Sequence, residues 1–329
     1  MSPARPTPAG ATPDSRGALV GDELALVERR LAELLRSREE RLTDIAAYLI
    51  GAGGKRIRPA VTLLIFRACG GSNVRDIVDV AVALELIHSA SLLHDDIIDG
   101  NQVRRGRASA RRKFGVAETL VTGDFLFSRA FQICGRFDER LIHWAADACI
   151  ALTEGEIMQG RFRRNPAVTY DDYLEIIARK TAALFEVGAR TAAYLAAADD
   201  GVVDALARCG HHVGLTFQMI DDLLDVTATE ATLGKPVGLD IRDGNPSLPL
   251  VLAIADDDEV RRQFGRPELS DAEVDAVLNR LRRSAVIERG QRLAGTHAEL
   301  ARAALQGLPD SPYRQYLLSL IDQLVERPA

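Results

Sequence analysis

The sequence predicts an all-α protein that folds as a single domain. Ala, Leu, Glu and Arg dominate and favour helix, whereas aromatic residues make up only 5% and the alternating runs typical of strands are rare. Glycine or proline separates apolar segments of roughly 15 to 25 residues. These segments predict about ten or more helices. No linker-like stretch interrupts residues 19–329, so we expect one domain there.

The ends of the chain and its charge narrow the class of protein. Residues 1–18 are rich in Pro, Ala and Thr, which predicts a disordered segment. The formal net charge of −6 argues against nucleic acid as a partner. The four cysteines lack a Cys-x-x-Cys spacing, which indicates free thiols in a reducing compartment. No uninterrupted apolar run reaches about 18 residues and a secretory signal is lacking, so we expect a cytoplasmic protein.

An acidic cluster ends the apolar helix predicted over residues 77–98. Asp95, Asp96 and Asp99 form an Asp-Asp-x-x-Asp motif. Asp95 and Asp99 lie one turn apart, about 6 Å along the axis, so their charges repel unless a cation neutralises them. Carboxylate oxygens are the ligands that Mg²⁺ prefers. An exposed acidic helix end is the alternative, but it would normally sit on a polar helix, so we favour a metal site.

The motif recurs further along the chain as Asp221, Asp222 and Asp225, again on an apolar helix. Asp221 and Asp225 are spaced i, i+4 and share a face. Two such clusters are far more specific than one. If they face each other, they would hold several Mg²⁺ ions around a single diphosphate.

Basic residues accompany both acidic clusters. The turn over residues 51–59 places Lys55 and Arg58 beside glycines that let a backbone approach a ligand, which suits a phosphate, although a solvated loop is the alternative. Arg104 and Arg105 follow the first cluster and indicate an anion that bridges the metals. The roles of the Lys-Thr pair at 180–181 and of the carboxylates within residues 154–159 stay open.

Together these motifs resemble the trans-isoprenyl (polyprenyl) diphosphate synthase family, from about Asp22 to the C-terminus. The resemblance is carried by both Asp-Asp-x-x-Asp motifs, Gly-Gly-Lys-Arg-x-Arg-Pro, the later Arg-Arg-Gly, Lys180-Thr181, Phe217-Gln218 and Gly234-Lys235-Pro236. It implies the isoprenoid synthase fold, a bundle of antiparallel helices around a central cavity, and a homodimer.

The resemblance also implies a role for each matching residue. Two Mg²⁺ ions would be held by Asp95 and Asp99 and a third by Asp221, about three ions per site, with Asp96, Asp222 and Asp225 ordering the metal surroundings. The allylic diphosphate would be gripped by Arg104, Lys180 and Lys235. Isopentenyl diphosphate would be bound by Lys55, Arg58, His88 and Arg105. The residues expected at the reacting groups are Lys180, Thr181, Gln218 and Lys235. Asn245 stands where family members often have a lysine.

The implied reaction extends an allylic diphosphate by successive head-to-tail trans condensations with isopentenyl diphosphate, releasing diphosphate. One turn before the first motif, about 5.4 Å back, lie the small residues Ala90 and Ser91, so we expect a product of roughly C30 or more. The side chains expected to close the tunnel further down are Leu86, Ile87, Phe127 or Phe131. Any membrane association would be transient and would arise through the product alone.

Four other classes of protein share part of this pattern with a long-chain synthase. A short-chain farnesyl or geranylgeranyl diphosphate synthase would share every motif. A class I terpene cyclase needs no isopentenyl diphosphate site, and a head-to-head synthase usually has Asp-x-x-x-Asp motifs. A non-catalytic regulatory subunit of a prenyl synthase usually loses one acidic motif, whereas this chain keeps both.

Overall fold

The computed structural model describes residues 19–51, 53–54, 56–228 and 237–326. The predictions made for residues 1–18, Lys55 and Lys235 lie outside these ranges. The described chain is all-α apart from one two-stranded hairpin, which confirms the predicted fold class.

The elements follow one another with short connections. The first half contains α1 Gly21–Leu34, α2 Glu40–Ile50, α3 Ile57–Ala68, α4 Val74–Ile98, β1 Val103–Arg104, β2 Arg107–Ala108, α5 Ala110–Phe114, α6 Val116–Cys134 and α7 Glu139–Phe162. The second half contains α8 Tyr170–Ile177, a π-helical turn Ala178–Ala182, α9 Ala183–Leu195, α10 Asp200–Thr227, α11 Leu239–Asp243, α12 Leu248–Asp256, α13 Asp258–Phe264, α14 Asp271–Arg283, α15 Val286–Ala304 and α16 Pro312–Val325.

Two long helices, α4 and α10, carry the acidic motifs and are packed on several sides. Helix α4 packs against α3 and α6, and α10 packs against α9 and α15. Helix α9 touches both α3 and α10, so it links the two groups. Helix α16 also packs on α3, so the last helix returns to the first part of the bundle.

The apolar interior is divided into two clusters. The larger contains Leu93 near the first acidic motif together with side chains of α1 to α4, α6 and α9. The smaller contains Ile220 and Leu223 beside the second motif, packed on α8, α12 and α14. Carboxylates cannot join either core without cost, because burying a charge is expensive unless it is paired. Both motifs are attached to apolar interior on one side and keep their polar groups between the clusters.

Helix α4 is long and apolar enough to cross a membrane by length and composition alone. The prediction that no segment spans a membrane rested on uninterrupted apolar runs alone, so it did not identify this helix. In the structure, 78% of its most apolar window is buried inside the bundle. A helix that is apolar on all sides belongs in a protein core when other helices cover it.

The hairpin that follows the first motif holds its arginines in and around a tight turn. Strands β1 and β2 pair antiparallel, with Arg104 opposite Arg107. The turn between them has positive φ at Arg105 (52°) and Gly106 (75°). A left-handed conformation costs free energy for a residue with a Cβ, so a strained backbone at Arg105 is a first sign that this side chain is held for function.

Candidate active site

Asp95 faces a lysine and two other carboxylates. Lys180 Nζ lies 3.9 Å from Asp95 Oδ2, pairs with Glu156 and donates to Gln159 Oε1 at 2.6 Å. The pKa of Asp95 is raised to about 7, chiefly by burial. Lys180 opposes this rise, whereas the charges of Glu156 and Asp99 contribute to it. Such a carboxylate lacks enough positive charge around it. A divalent cation would supply that charge.

The other two carboxylates of the first motif pair with arginines. Arg104 Nε donates to Asp96 Oδ1 at 2.6 Å, and Asp96 is fully buried. Asp96 Oδ2 has no hydrogen-bond partner among the described residues. Asp99 pairs with Arg163, whose Nε also donates to Asn245 Oδ1 at 3.1 Å. All three aspartates are therefore held by cations from different elements.

A local change of helix geometry brings Lys180 and Thr181 to the site. The chain forms a single π-helical turn over Ala178–Ala182, and such turns are frequent at functional sites. Helix α7 runs close beside it at Gly155, where an added Cβ would lie 2.6 Å from the Lys180 backbone nitrogen. Only glycine at this position allows the two helices to approach so closely.

A buried hydrogen-bonded chain fixes the second motif. Thr181 Oγ1 donates to Gln218 Oε1 at 2.9 Å, and Gln218 Nε2 donates to Asp222 Oδ1 at 2.7 Å. Asp222 Oδ2 accepts from Tyr173 Oη at 2.8 Å and from the Leu248 backbone N–H at 3.0 Å. Burial raises the pKa of Asp222 to about 7 although all three donors lower it. Both oxygens of Asp222 are therefore engaged by protein donors, one of which is Gln218.

The remaining carboxylates of the second motif have different surroundings. Asp221 is exposed, and Asp225 is buried and accepts from the Asp240 backbone N–H at 3.3 Å. Burial lowers the pKa of Arg58 to about 10, while Glu85 and Asp221 oppose that fall. The charge of Asp221 therefore reaches α3, on the other side of the site.

Four arginines surround one histidine beside the acidic clusters. Burial holds the pKa of His88 well below 6.5, and Arg58, Arg105, Arg104 and Arg56 lower it further. His88 is therefore neutral at pH 7. The Nε of Arg58 is buried without a hydrogen-bond partner among the described residues. Arg104 pairs with Asp96, and Arg56 pairs with Glu28 and Glu85, whereas Arg58 and Arg105 form no ion pair within the described residues. The guanidinium groups of Arg58 and Arg105 are suited to a phosphate group.

The glycine-rich turn before α3 contributes to this cationic group. Arg105 Nη1 donates to the Gly53 backbone carbonyl. A Cβ at Gly54 would lie 2.9 Å from Arg56 Nη1 and 3.3 Å from Arg105 Nη2. Glycine at position 54 lets the two guanidinium groups lie against the backbone.

A cavity of about 140 Å³ opens beside Asp222 of the second motif. Its walls include Gln159, Lys180, Thr181, Gln218, Asp240 and Asn245. The candidate metal ligands are all carboxylates, which suits a hard cation such as Mg²⁺. Within the described residues, no three His, Cys, Asp or Glu side chains are close enough to share one ion. Ligands from phosphate and water would complete each coordination shell, as is usual for Mg²⁺.

The sequence profile of the polyprenyl synthetase family matches residues 39–281, which is most of the chain. The chain belongs to this family. The heptaprenyl diphosphate synthase component 2 of Geobacillus stearothermophilus is 37% identical, over 92% of this chain and 95% of that protein. The geranylgeranyl diphosphate synthase of Methanosarcina mazei is 34% identical, over 92% and 94%.

A crystal structure of a polyprenyl synthase from Caulobacter crescentus, complexed with calcium and isoprenyl diphosphate, superposes with a TM-score of 0.92. That protein is 35% identical, and the match covers 98% of this chain and all of the other. The chain is accordingly a prenyltransferase with the all-α isoprenoid synthase fold, as the sequence predicted. Both long-chain and shorter-chain synthases are among its relatives, so the relatives leave the product length open.

Below the acidic motif of this synthase lies a small apolar cavity of about 30 Å³. Four residues of α4 line it, namely Val80, Ala83, Leu84 and Ile87. Its far wall includes Phe137 and Leu141. Of the side chains expected to close a product tunnel, Ile87 is in place, whereas Leu86 is fully buried in the core and Phe127 stacks on His94. Phe131 is 48% exposed and does not line this cavity, so its place in the tunnel stays a prediction.

The two small residues expected to shape the tunnel differ in position. Ser91 lies one turn beyond Ile87, on the helix face that lines the cavity. Ala90 is fully buried at the edge of that face. Ser91 Oγ donates to the His88 carbonyl at 2.9 Å, so its hydroxyl is satisfied within the helix.

The structure gathers the described candidate residues into two adjoining groups. The first contains Asp95, Asp96, Asp99, Lys180, Thr181, Gln218 and Asp222. The second contains Arg58, His88, Arg104 and Arg105. The substrate and metal roles of these residues stay predictions.

Several site residues were missed by the sequence reasoning. Glu156 and Gln159 are spaced i, i+3 on one face of α7, and Arg163 directly follows that helix. This polar stripe was a detectable signal. Tyr173 gave none, because an isolated tyrosine on an amphipathic helix normally packs in the core.

Proposed function

We propose that this synthase elongates an allylic diphosphate by successive head-to-tail trans condensations with isopentenyl diphosphate, with Mg²⁺ as the cofactor. The observation that carries the proposal is the position of a cationic group around His88 next to two acidic motifs. One diphosphate would be gripped between the motifs through metal ions, and the other would be bound by the basic residues around His88. A terpene cyclase has no use for the second site.

When bound between the motifs, about three Mg²⁺ ions would neutralise the charge that develops on the departing diphosphate. Asp95, Asp99 and Asp221 would hold these ions, as the family resemblance implies. Arg104 and Lys180 would contact the same diphosphate, and Lys235 is proposed to join them. Asp96, Asp222 and Asp225 would orient the surrounding groups.

The chain's own residues suit the carbon chemistry between the two diphosphates. As the allylic C–O bond breaks, the oxygen of Thr181 and the amide of Gln218 would direct their dipoles at the allylic cation. The double bond of isopentenyl diphosphate, held by Arg58, His88, Arg105 and Lys55, would then form the new C–C bond. A proton leaves the isopentenyl carbon, with the released diphosphate as its acceptor.

The test combines purified protein, Mg²⁺ and radiolabelled isopentenyl diphosphate with each allylic primer, and product size is read on a reverse-phase plate. We expect products of roughly C30 or more, because the α4 face that runs from the small residue Ser91 back to Val80, about three helical turns, meets the apolar cavity at Ile87. Products no longer than about C20 would instead identify a short-chain synthase, since a C20 chain has only four isoprene units to place along that route.

Asp95→Ala or Asp221→Ala should reduce turnover by several orders of magnitude, roughly 10³-fold or more, while circular dichroism shows an intact fold. Asp204→Ala, an exposed aspartate on the same helix as Asp221, is the matched control and should retain activity. Turnover like that of the unaltered enzyme in either motif variant would contradict the mechanism.

We further propose a homodimer formed through α6 and α7. Seven large apolar side chains are exposed on these helices: Val116, Leu120, Val121, Phe131, Ile142, Ile150 and Ile157. Surface patches of this kind mark protein interfaces. Ile150→Asp should convert the dimer to a monomer in light scattering, whereas Leu300→Asp, an exposed apolar residue elsewhere, should not. An inactive monomer before mutation would instead indicate a two-component enzyme.

The same reasoning supports two broader proposals. Residues 19–329 would form a single catalytic domain, because α16 packs back onto α3. The protein would act in the cytoplasm and meet membranes only through its product. Cell fractionation before and after incubation with substrates tests the latter, since stable sedimentation with membranes in the absence of product would contradict it.

A further inference from the structure

Arg163 links the two halves of the site and is outside every motif described above. It directly follows α7. Its Nη2 pairs with Asp99 at the end of α4, and its Nε donates to Asn245 Oδ1 at 3.1 Å in the loop before α12. These partners are 64 and 82 residues away along the chain. The hydrogen bonds found among the described residues do not involve its Nη1.

The loop that carries Asn245 is fixed by the next residue along the chain. The Arg164 backbone N–H donates to the Gly244 carbonyl at 2.9 Å, and Arg164 Nη2 donates to the Arg242 carbonyl at 2.6 Å. A Cβ at Gly244 would lie 2.3 Å from Arg164 Cγ. This close packing sets the distance between Asn245 and the end of α7, so Arg163 is held in position by its surroundings.

A second carboxylate, that of Asp243, lies near Arg163 and Asp99. Burial raises the pKa of Asp243, Asp99 raises it further, and Arg163 and Arg164 lower it. Arg164 is directed at backbone carbonyls of the loop, and it is Arg163 that pairs with the motif carboxylate. A cation that holds a metal-site carboxylate competes with the metal for it.

We propose that Arg163 is a positioning and binding residue for the allylic diphosphate. Without substrate it holds Asp99; when a metal ion takes that carboxylate, its Nη groups turn to the diphosphate while Nε stays on Asn245. A planar guanidinium has five donors and can make both kinds of contact. Members of the family often have a lysine where this chain has Asn245. Arg163, which directly follows α7, supplies a cation beside that position. This inference rests on the proposed function.

The test measures binding without turnover, using inorganic pyrophosphate and Mg²⁺ in calorimetry. In Arg163→Gln we expect pyrophosphate with Mg²⁺ to bind about tenfold more weakly, the loss of one charge-assisted hydrogen bond. Mg²⁺ alone should bind more tightly, because its competitor for Asp99 is gone. A purely structural role for Arg163 would not move the two affinities in opposite directions. Arg161→Gln, an exposed arginine two residues earlier, is the control and should change neither.

A second variant tests the link to position 245. Adding Asn245→Lys to Arg163→Gln places an ammonium beside the vacated position and should restore most of the pyrophosphate affinity, together with the KM for the allylic substrate. Unchanged pyrophosphate affinity in Arg163→Gln, or no recovery in the double variant, would overturn the inference. Failure of the proposed function is distinct, since the unaltered protein would then show no elongation at all.

Discussion

Tyr173→Phe tests whether the second motif depends on buried hydrogen bonding. The Tyr173 hydroxyl is fully buried and donates to Asp222 Oδ2 at 2.8 Å. Losing a hydrogen bond to a charged group costs about 1.5–3 kcal/mol. With an unfolding entropy of about 2.1 cal/mol/K per residue over 329 residues, Tm should fall by about 2–4 °C. Turnover should fall by only about threefold to tenfold, because Gln218 loses orientation but every proposed metal ligand remains.

The loss of stability in this variant should depend on pH. Because burial raises the pKa of Asp222 to about 7, the stabilising contribution of its proton is present at low pH and is lost as pH rises through about 7. Tyr173 stabilises the ionised form, so its removal should cost more at pH 8 than at pH 6. Differential scanning fluorimetry at both values measures this difference.

A matched control is available on the surface. Tyr194 Oη donates to Asp138 Oδ2 at 2.9 Å, in an exposed Tyr–Asp pair. Since solvent screens such pairs, Tyr194→Phe should shift Tm by about 1 °C or less. If Tyr173→Phe behaves like this control, or if its activity falls as far as that of Asp221→Ala, the assignment of Asp222 to orientation is wrong.

Three further predictions concern other parts of the chain. Gly155→Ala should destabilise the fold by about 1–3 kcal/mol and slow turnover, because the new Cβ meets the Lys180 backbone; calorimetry and steady-state assays measure both. Ala90→Phe should shorten the product to about C20 or less by blocking the route from the motif, and an unchanged product on chromatography would refute this. Burial, then His211 and His297, lower the pKa of His212 to about 4. Stability should therefore fall as pH drops from 6.5 to about 4, by about 1 kcal/mol after allowance for solvent screening, and His212→Phe should reduce that fall in acid titrations.

Local sequence patterns were sufficient to predict the fold class and the reactive groups. Helix formers in long segments dictate an all-α chain, because each residue's preference acts within one or two turns. The i, i+4 aspartates of both motifs are likewise a local relation, so the sequence places Asp95 with Asp99 and Asp221 with Asp225. The small hairpin that presents Arg104 and Arg105 was predicted only as a basic turn.

The partners of those aspartates could not be predicted in the same way. Arg163 reaches Asp99 across 64 residues of chain, and Tyr173 reaches Asp222 across 49. Such contacts depend on how whole helices pack, which periodicity within one helix does not specify. The side chains expected at the tunnel show the same limit, since Ile87 lines the apolar cavity whereas the adjacent Leu86 is fully buried in the core.

The sequence by itself therefore determined an all-helical synthase with two acidic motifs and basic turns, because these properties follow from residue type and short-range spacing. Only the tertiary structure decided how their charges are balanced. It placed Lys180 on Asp95 through a π-helical turn and a glycine contact, and it joined Asp99 to Asn245 through Arg163. Charge balance within a buried site is set by distances between helices, and packing fixes those distances.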